Sequence, residues 1–141
     1  MILISHRGNL EGKKENLENH PDYIEEAKKK GFDVEIDVWF IKNNFFLGHD
    51  EPQFKVDSKF LEDHKLWCHS KNADALRELS KLNCHYFWHN TDDYTITSKG
   101  FIWIYPGKPI LKNGICVMPE KIKNMNIDCK GICSDFIESY K

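Results

Sequence analysis

Short apolar runs recur along the whole of this chain, and almost every run ends in a cluster of polar or charged residues. Seven runs have the length and flanking residues typical of buried β-strands, at residues 2–5, 32–40, 66–68, 86–88, 101–105, 115–118 and 131–133. Strands that alternate with polar ends and helices indicate a parallel α/β organisation. Polar residues at many successive strand ends favour a barrel, because a barrel assembles its site from the loops that follow its strands. The pattern therefore predicts a TIM-barrel-like (β/α) barrel.

The length of the chain limits this barrel. With 141 residues the chain has room for one domain, whereas complete (β/α) barrels run to ~250 residues. Helices are expected between Pro21 and Gly31, over residues 58–63 and after an Asn72 cap, but the later connections are short. We therefore expect an abbreviated or incomplete α/β barrel, with a hairpin that turns at residues 42–44.

Composition and charge narrow the class of partner. The formal net charge is −2 and the lysines are scattered, so there is no broad electrostatic case for nucleic acid. No apolar run approaches the length of a membrane span, and the apolar segment 1–4 is too short for a signal peptide. The five cysteines are an odd number without a secretory signal, which indicates reduced thiols. These features predict a cytoplasmic protein.

The stretch 34–38 carries the strongest functional signal. If it is a strand, its apolar residues point to one face while Glu35 and Asp37 point together to the other. Two neighbouring carboxylates repel each other and are costly to desolvate, so a cation between them explains them more simply than a solvated strand face. His6 lies one element upstream and His49 one hairpin downstream. Carboxylates with two histidines suit acid–base chemistry on a phosphate ester.

Four motifs stand in the order and spacing of a known enzyme family. They are His6-Arg7-Gly8, Glu15-Asn16, Glu35-Ile36-Asp37-Val38 and His49-Asp50. Two later motifs are His69-Ser70-Lys71, where the family has Glu-x-Lys, and Gly131-Ile132-Cys133-Ser134-Asp135 at the last strand. On these residues the chain resembles the glycerophosphodiester phosphodiesterases of the PLC-like phosphodiesterase superfamily. The resemblance covers roughly the first 72 residues and the last strand, and it implies a shortened (β/α)8 barrel.

The resemblance implies a divalent metal ion held by Glu35 and Asp37. Magnesium or calcium suits carboxylate oxygens. His69 replaces the third carboxylate of the family, and an imidazole ligand would suit manganese or zinc better. Two alternatives remain open: His69 contacts the substrate instead, or Glu120, at another strand end, supplies the third carboxylate.

The resemblance also implies roles for the remaining site residues. His6 and His49 are the expected acid–base pair, because histidine changes charge near neutral pH. We expect His6 to activate the nucleophile and His49 to protonate the departing alcohol, with the reverse assignment as the alternative. Arg7 and Lys71 are expected to stabilise phosphoryl charge. Two carboxylates are expected to orient their neighbours: Asp50 and Asp135.

These expectations define a phosphoric diester hydrolase that cleaves a small phosphodiester with metal help. The alternative is a non-catalytic module that binds phosphate or sugar phosphate, which the change to His69 favours. The presence of both His6 and His49 argues against that module, because a binder needs neither proton donor nor acceptor. A phosphotransferase or cyclising lyase with the same site is a third reading. An exposed apolar sheet edge would favour a homodimer.

For the other histidines the sequence predicts only a general position in the fold. His20, His64 and His85 are expected in loops or at the surface. His89 stands at a strand end, where it belongs either to an aromatic rim or to a substrate contact.

Overall fold

The computed structural model describes residues 1–122 and 126–141. Within these residues there are three α-helices: α1 (Pro21–Lys29), α2 (Ser58–Leu61) and α3 (Ala73–Leu79). The strands of the described part are β1 (Ile2–His6), β2 (Asp33–Ile41), β3 (Asn44–Leu47), β4 (Phe54–Val56), β5 (Leu66–Ser70), β6 (Tyr86–Phe87), β7 (Tyr94–Ile96), β8 (Ile102–Ile104), β9 (Gly114–Val117) and β10 (Gly131–Ser134). Two 3-10 turns lie at Pro119–Lys121 and Ile137–Tyr140.

All of these strands belong to one curled, mixed sheet. Seven strands run parallel in the order β6-β5-β2-β1-β10-β9-β8, and they are the seven strands that the sequence predicts. The antiparallel members are β7 at the edge beside β8 and the β3–β4 extension of β2, which includes the predicted hairpin. The ends of the curl approach each other where the Ser98 amide donates to the Tyr86 carbonyl at 2.8 Å.

The prediction of a TIM-barrel-like (β/α) barrel is wrong. The structure is a half-barrel of mixed sheet whose described residues form only three short α-helices. Residues 105–113 alone connect β8 to β9, and Pro106 and Pro109 interrupt them. So short a connection cannot supply the helix that normally covers a parallel strand pair. Between β9 and β10 the described residues hold a single 3-10 turn. Parallel strand order is therefore retained without the outer ring of helices.

The two faces of β2 have different surroundings. On one face Val34, Ile36 and Val38 are fully buried. They belong to an apolar cluster to which the helices contribute Ile24, Ala27, Leu61 and Leu79. Glu35 and Asp37 point to the opposite face, as strand alternation predicts. The helices thus hold β2 from outside, and its carboxylates face the interior of the curl.

A second apolar cluster fills the interior of the curl. It contains Ile4, Trp67, Phe87, Trp103, Ile115, Val117 and Cys133. The Trp67 indole N–H donates to Asp33 Oδ2 at 3.0 Å, and its ring lies 5.9 Å from that of Trp103. Side chains at the carboxyl ends of the strands therefore lie beside a buried cluster that is rich in aromatic residues.

Asn72 fixes the position of α3 relative to β2. Its side-chain oxygen accepts from the Ala75 amide at 3.0 Å and from the Phe40 amide at 3.2 Å, while its amide donates to the Phe40 carbonyl at 3.0 Å. The predicted cap thus also ties the helix to the strand that carries the carboxylates. None of the helices in the described part of the chain has the length and apolar character needed to cross a membrane.

Candidate active site

Three neighbouring strands bring the predicted site residues to one end of the sheet. His6 ends β1, Glu35 and Asp37 lie in β2, and His69 lies in β5. In the parallel register His6 is opposite Glu35, and His69 is opposite Asp37. Since residues two apart on a strand share a face, the two carboxylates stand between the two histidines.

A pocket of about 380 Å³ opens at these strand ends. Six of the seven predicted catalytic, phosphate-binding and metal-binding residues line it: His6, Arg7, Glu35, His49, His69 and Lys71. The seventh, Asp37, is fully buried behind them. Residues that are distant in the sequence therefore converge on one cavity, as the motif spacing requires.

Asp37 is the centre of this arrangement. Its Oδ2 lies 2.9 Å from Arg7 Nε and 3.5 Å from His49 Nδ1, and its Oδ1 lies 3.3 Å from His69 Nδ1 and 3.7 Å from Lys71 Nζ. Burial acts to raise the pKa of Asp37, but His49, His69 and Arg7 outweigh it and hold that pKa well below its ordinary value. Asp37 is therefore ionised at neutral pH.

His69 is held in one orientation by its surroundings. Its Nε2 lies 2.7 Å from the His89 carbonyl, and its ring stacks on Phe87 with centroids 5.1 Å apart. Because a carbonyl only accepts, Nε2 must carry a proton, and Nδ1 faces Asp37 Oδ1 at 3.3 Å and Glu35 Oε1 at 3.5 Å. Burial opposes a charge here, but the two carboxylates raise the pKa of His69 to about 9.

His6 is paired with a buried carboxylate. Its Nδ1 lies 2.7 Å from Asp135 Oδ1, and its Nε2 lies 3.8 Å from Glu35 Oε2. Burial acts to raise the pKa of Asp135, but hydrogen bonds from His6 and Asn9 lower it below its ordinary value. An ionised Asp135 can only accept, so His6 donates through Nδ1 and presents Nε2 to the pocket.

His49 reaches the pocket from the hairpin that follows β2. The Trp39 indole N–H donates to the Gly48 carbonyl at 2.6 Å and fixes the turn that precedes His49. Gly48 has φ +154°, and a Cβ there would lie 2.0 Å from the Glu51 carbonyl oxygen, so this turn requires glycine. The side chain of His49 is 42% exposed, whereas that of His6 is 8% exposed.

Arg7 directly follows His6 in an unusual backbone conformation. Its φ is +57°, which is uncommon for a residue with a side chain. Its amide donates to the Glu35 carbonyl at 2.9 Å, and its carbonyl accepts from the Asn19 amide at 3.0 Å. These bonds hold the strained turn and direct the guanidinium back toward Asp37.

Sequence reasoning missed three buried polar residues around the site. Asn19 and Asp37 bond reciprocally: the Asn19 amide donates to Asp37 Oδ2 and the Asp37 backbone amide donates to Asn19 Oδ1, each at 2.9 Å. Asn9 donates to Glu18 Oε1 and to Asp135 Oδ1, each at 2.8 Å. For Glu18 and Asn19 the only signal was that they form a second Glu-Asn pair, three residues after the pair that matches the family spacing.

Other predicted residues lie outside the cluster. Glu15 and Asn16 are exposed, so the Glu-Asn pair on which the resemblance was based is not part of the site. Glu120 is exposed and accepts from the Asp135 amide at 3.3 Å, and it does not line the pocket. Asp50 is exposed, with Oδ1 3.6 Å from His49 Nε2. His85, expected at the surface, is 2% exposed, because it lies against Trp67 inside the curl.

The residues present fit a divalent cation. Glu35, Asp37 and His69 each offer a ligand atom, and these atoms lie within 4.8 Å of one another. Glu35 Oε2 and Asp37 Oδ1 are buried and accept no hydrogen bond from the described residues. Unsatisfied buried carboxylate oxygens are costly unless a cation or water meets them. A second cluster of His6, Glu18 and Asp135 needs no ion, because Asn9 and His6 already bond its carboxylates.

Fold and site together define a sheet protein in which two histidines, His6 and His49, lie beside a cluster of carboxylates and an imidazole. Comparison with models of known protein families, with curated proteins and with solved structures finds no match for this chain. Its function is therefore inferred from the geometry of the site and from the motifs that form it.

Proposed function

We propose that this protein is a metal-assisted phosphodiester hydrolase similar to the glycerophosphodiester phosphodiesterases. The observation that carries the proposal is the pair of histidines on either side of the buried carboxylates. His6 Nε2 lies 3.8 Å from Glu35, and His49 Nδ1 lies 3.5 Å from Asp37. Two histidines that contact one carboxylate pair in one pocket suit the transfer of a proton from a nucleophile and to a leaving group.

His6 is the better candidate for the base. Asp135 accepts a hydrogen bond from Nδ1–H, which leaves Nε2 as the acceptor that faces the pocket. A carboxylate in this position fixes the tautomer and stabilises the imidazolium that forms when the base takes a proton. The nucleophile is water or a neighbouring hydroxyl of the substrate.

His49 is the better candidate for the acid. Its side chain lies at the open side of the pocket and is 42% exposed, where a departing alcohol reaches solvent. Asp37 lies within ion-pair distance of its Nδ1 and Asp50 within ion-pair distance of its Nε2, so a carboxylate stands beside each ring nitrogen.

Two cations are available for the phosphoryl group. Arg7 and Lys71 line the pocket, and their contacts with Asp37 place them beside the carboxylate cluster. Arginine offers a planar fork to phosphate oxygens, and lysine offers a point charge. A divalent ion held by Glu35, Asp37 and His69 would polarise a phosphoryl oxygen and assist the nucleophile.

The volume and the apolar lining of the pocket indicate the size of the substrate. Trp103, Tyr105 and Met118 add apolar surface to the lining of the same pocket. A volume of about 380 Å³ accommodates a small phosphodiester with one compact alcohol group in contact with these side chains.

Hydrolysis of bis(p-nitrophenyl) phosphate with magnesium, manganese or calcium tests the proposal. We expect metal-dependent release of nitrophenol that falls about 10²-fold or more in His6→Ala. The matched control is His64→Ala, because that side chain is 85% exposed and lies outside the pocket. Equal background rates for the wild type and His6→Ala with every metal would refute a hydrolase.

A non-catalytic phosphate-binding module is the second candidate, and one observation favours it. Two carboxylates raise the pKa of His69 to about 9, so His69 is cationic at neutral pH and stands beside the basic side chains of Arg7 and Lys71. That charge would hold a phosphate group without a metal ion. Such a module would bind glycerol phosphate in the presence of a chelator and would bind it equally well after His6→Ala.

A further inference from the structure

His69 carries an inference about metal choice that rests on the proposed function. We propose that Glu35, Asp37 and His69 form a site selective for a first-row divalent transition ion, such as Mn²⁺ or Zn²⁺, over Mg²⁺ and Ca²⁺. Three features of the cluster support this selectivity: the ring nitrogen of His69 that faces the carboxylates, the carboxylate oxygens without hydrogen bonds, and the charges of Arg7 and Lys71.

The ring of His69 is oriented as a ligand. Its Nε2 donates to the His89 carbonyl at 2.7 Å, and its ring is clamped against Phe87, 7° from parallel. Histidines that bind metals commonly donate their other ring N–H to a carbonyl or carboxylate in this way. The lone pair of the neutral ring is thereby left on Nδ1, which is the atom that faces Glu35 and Asp37.

Two buried carboxylate oxygens of the cluster lack hydrogen-bond partners among the described residues. Glu35 is 2% exposed and Asp37 is 0% exposed, yet Glu35 Oε2 and Asp37 Oδ1 accept no hydrogen bond from the described residues. His69 Nδ1 lies 3.3 Å from Asp37 Oδ1 without hydrogen-bond geometry. Three protein ligands with open remaining positions are typical of a catalytic rather than a structural metal site.

The types of ligand atom in the cluster favour transition ions over Mg²⁺ and Ca²⁺. Mg²⁺ requires near-ideal octahedral oxygen coordination and Ca²⁺ takes six to eight oxygens, whereas this cluster supplies two carboxylates and one nitrogen. Imidazole strengthens binding along the series from Mn²⁺ toward Zn²⁺. Arg7 and Lys71 already offset part of the charge of Asp37, which weakens the electrostatic attraction on which Mg²⁺ and Ca²⁺ depend.

Paramagnetic resonance of bound Mn²⁺, with Mg²⁺ as competitor, tests this site directly. We expect Mn²⁺ to bind at least about tenfold more tightly than Mg²⁺ and to show coupling to one ¹⁴N nucleus in pulsed measurements. In His69→Glu, which supplies an oxygen ligand, the nitrogen coupling should vanish and the preference for Mn²⁺ should fall at least about tenfold. The matched control is His64→Glu, which exchanges an 85% exposed ring and should leave both readouts unchanged.

The outcomes separate this inference from the proposed hydrolase. Equal affinity for Mg²⁺ and Mn²⁺, or a nitrogen coupling that persists in His69→Glu, would overturn the assignment even if phosphodiester cleavage were observed. Binding of Mn²⁺ through His69 without any release of nitrophenol would support the metal site and reject the hydrolase. Failure of a folded wild type to bind Mn²⁺ would overturn the metal site altogether.

Discussion

Nδ1 of His6 lies 2.7 Å from Oδ1 of Asp135, although 129 positions separate the two residues along the chain. The contact exists because β1 and β10 are parallel neighbours, with Ser5 opposite Ser134. Each residue directly follows that register position, so both side chains reach the same end of the sheet. Asn9 bonds the same oxygen of Asp135, which fixes the carboxylate from a second side. His6 thus depends on the last strand for its orientation.

Replacing Asp135 by alanine should lower kcat about 10²-fold with little change in KM. The variant removes the carboxylate that orients His6 through Nδ1, but leaves Arg7 and Lys71 to bind phosphate. Steady-state hydrolysis of bis(p-nitrophenyl) phosphate measures both constants. Asp135→Asn should retain more activity, because its side-chain oxygen can still accept from His6. Equal losses in the two variants would contradict a positioning role.

The proposed roles of the two histidines predict different responses to the leaving group. A poor leaving group needs an acid, whereas nitrophenolate departs without one. His49→Ala should therefore slow hydrolysis of a glycerol phosphodiester about 10²-fold or more, and that of bis(p-nitrophenyl) phosphate much less. His6→Ala should slow both substrates alike. The reversed pattern would exchange the two roles.

Asn19 should matter to stability, whereas Asn16 should not. Asn19 is fully buried, adopts φ +64° and exchanges two hydrogen bonds with Asp37. Asn19→Ala leaves the buried Asp37 amide and carboxylate short of partners, at a cost of about 3 kcal/mol in the free energy of unfolding. Asn16→Ala, at an exposed site, should change that free energy by less than about 0.5 kcal/mol in urea titrations.

Local patterns were sufficient to predict the seven parallel strands and the faces of β2 to which its side chains point. Strand alternation alone separates Val34 and Ile36 from Glu35 and Asp37, and each side chain lies on the expected face of β2. The polar ends of successive parallel strands meet at one edge of the sheet wherever they lie in the chain. The convergence of His6, the two carboxylates and His69 follows from that rule.

The absence of the helical ring could not be predicted from the same patterns. Strand order is encoded by apolar runs, whereas the barrel needs connections long enough for helices, and residues 105–113 are too few. The short strands β4 and β7 could not be predicted, because a strand of three residues is too short to show an alternation of apolar and polar residues. The role of Asn19 could not be predicted, because only the tertiary structure brings it to its hydrogen-bond partner Asp37.

His85 is buried, whereas the sequence predicts a loop or surface position for it. Its Nε2 lies 2.7 Å from Thr97 Oγ1, and its ring lies 4.1 Å from that of Trp67. Burial, reinforced by Lys99, lowers the pKa of His85 to about 4 from its ordinary value of 6.5. The neutral ring is therefore the form that the fold accommodates.

Lowering the pH should destabilise the protein through His85. Because its pKa is lower in the folded state, the unfolded chain binds the extra proton, so stability is full above pH 6.5 and falls toward pH 4. At pH 5 the loss is about 2 kcal/mol relative to pH 7.5. Urea titrations should show this loss in the wild type and in His64→Phe, whose ring is exposed. In His85→Phe the loss between the two pH values should be smaller by that amount, and parallel pH dependence in all three proteins would reject the assignment.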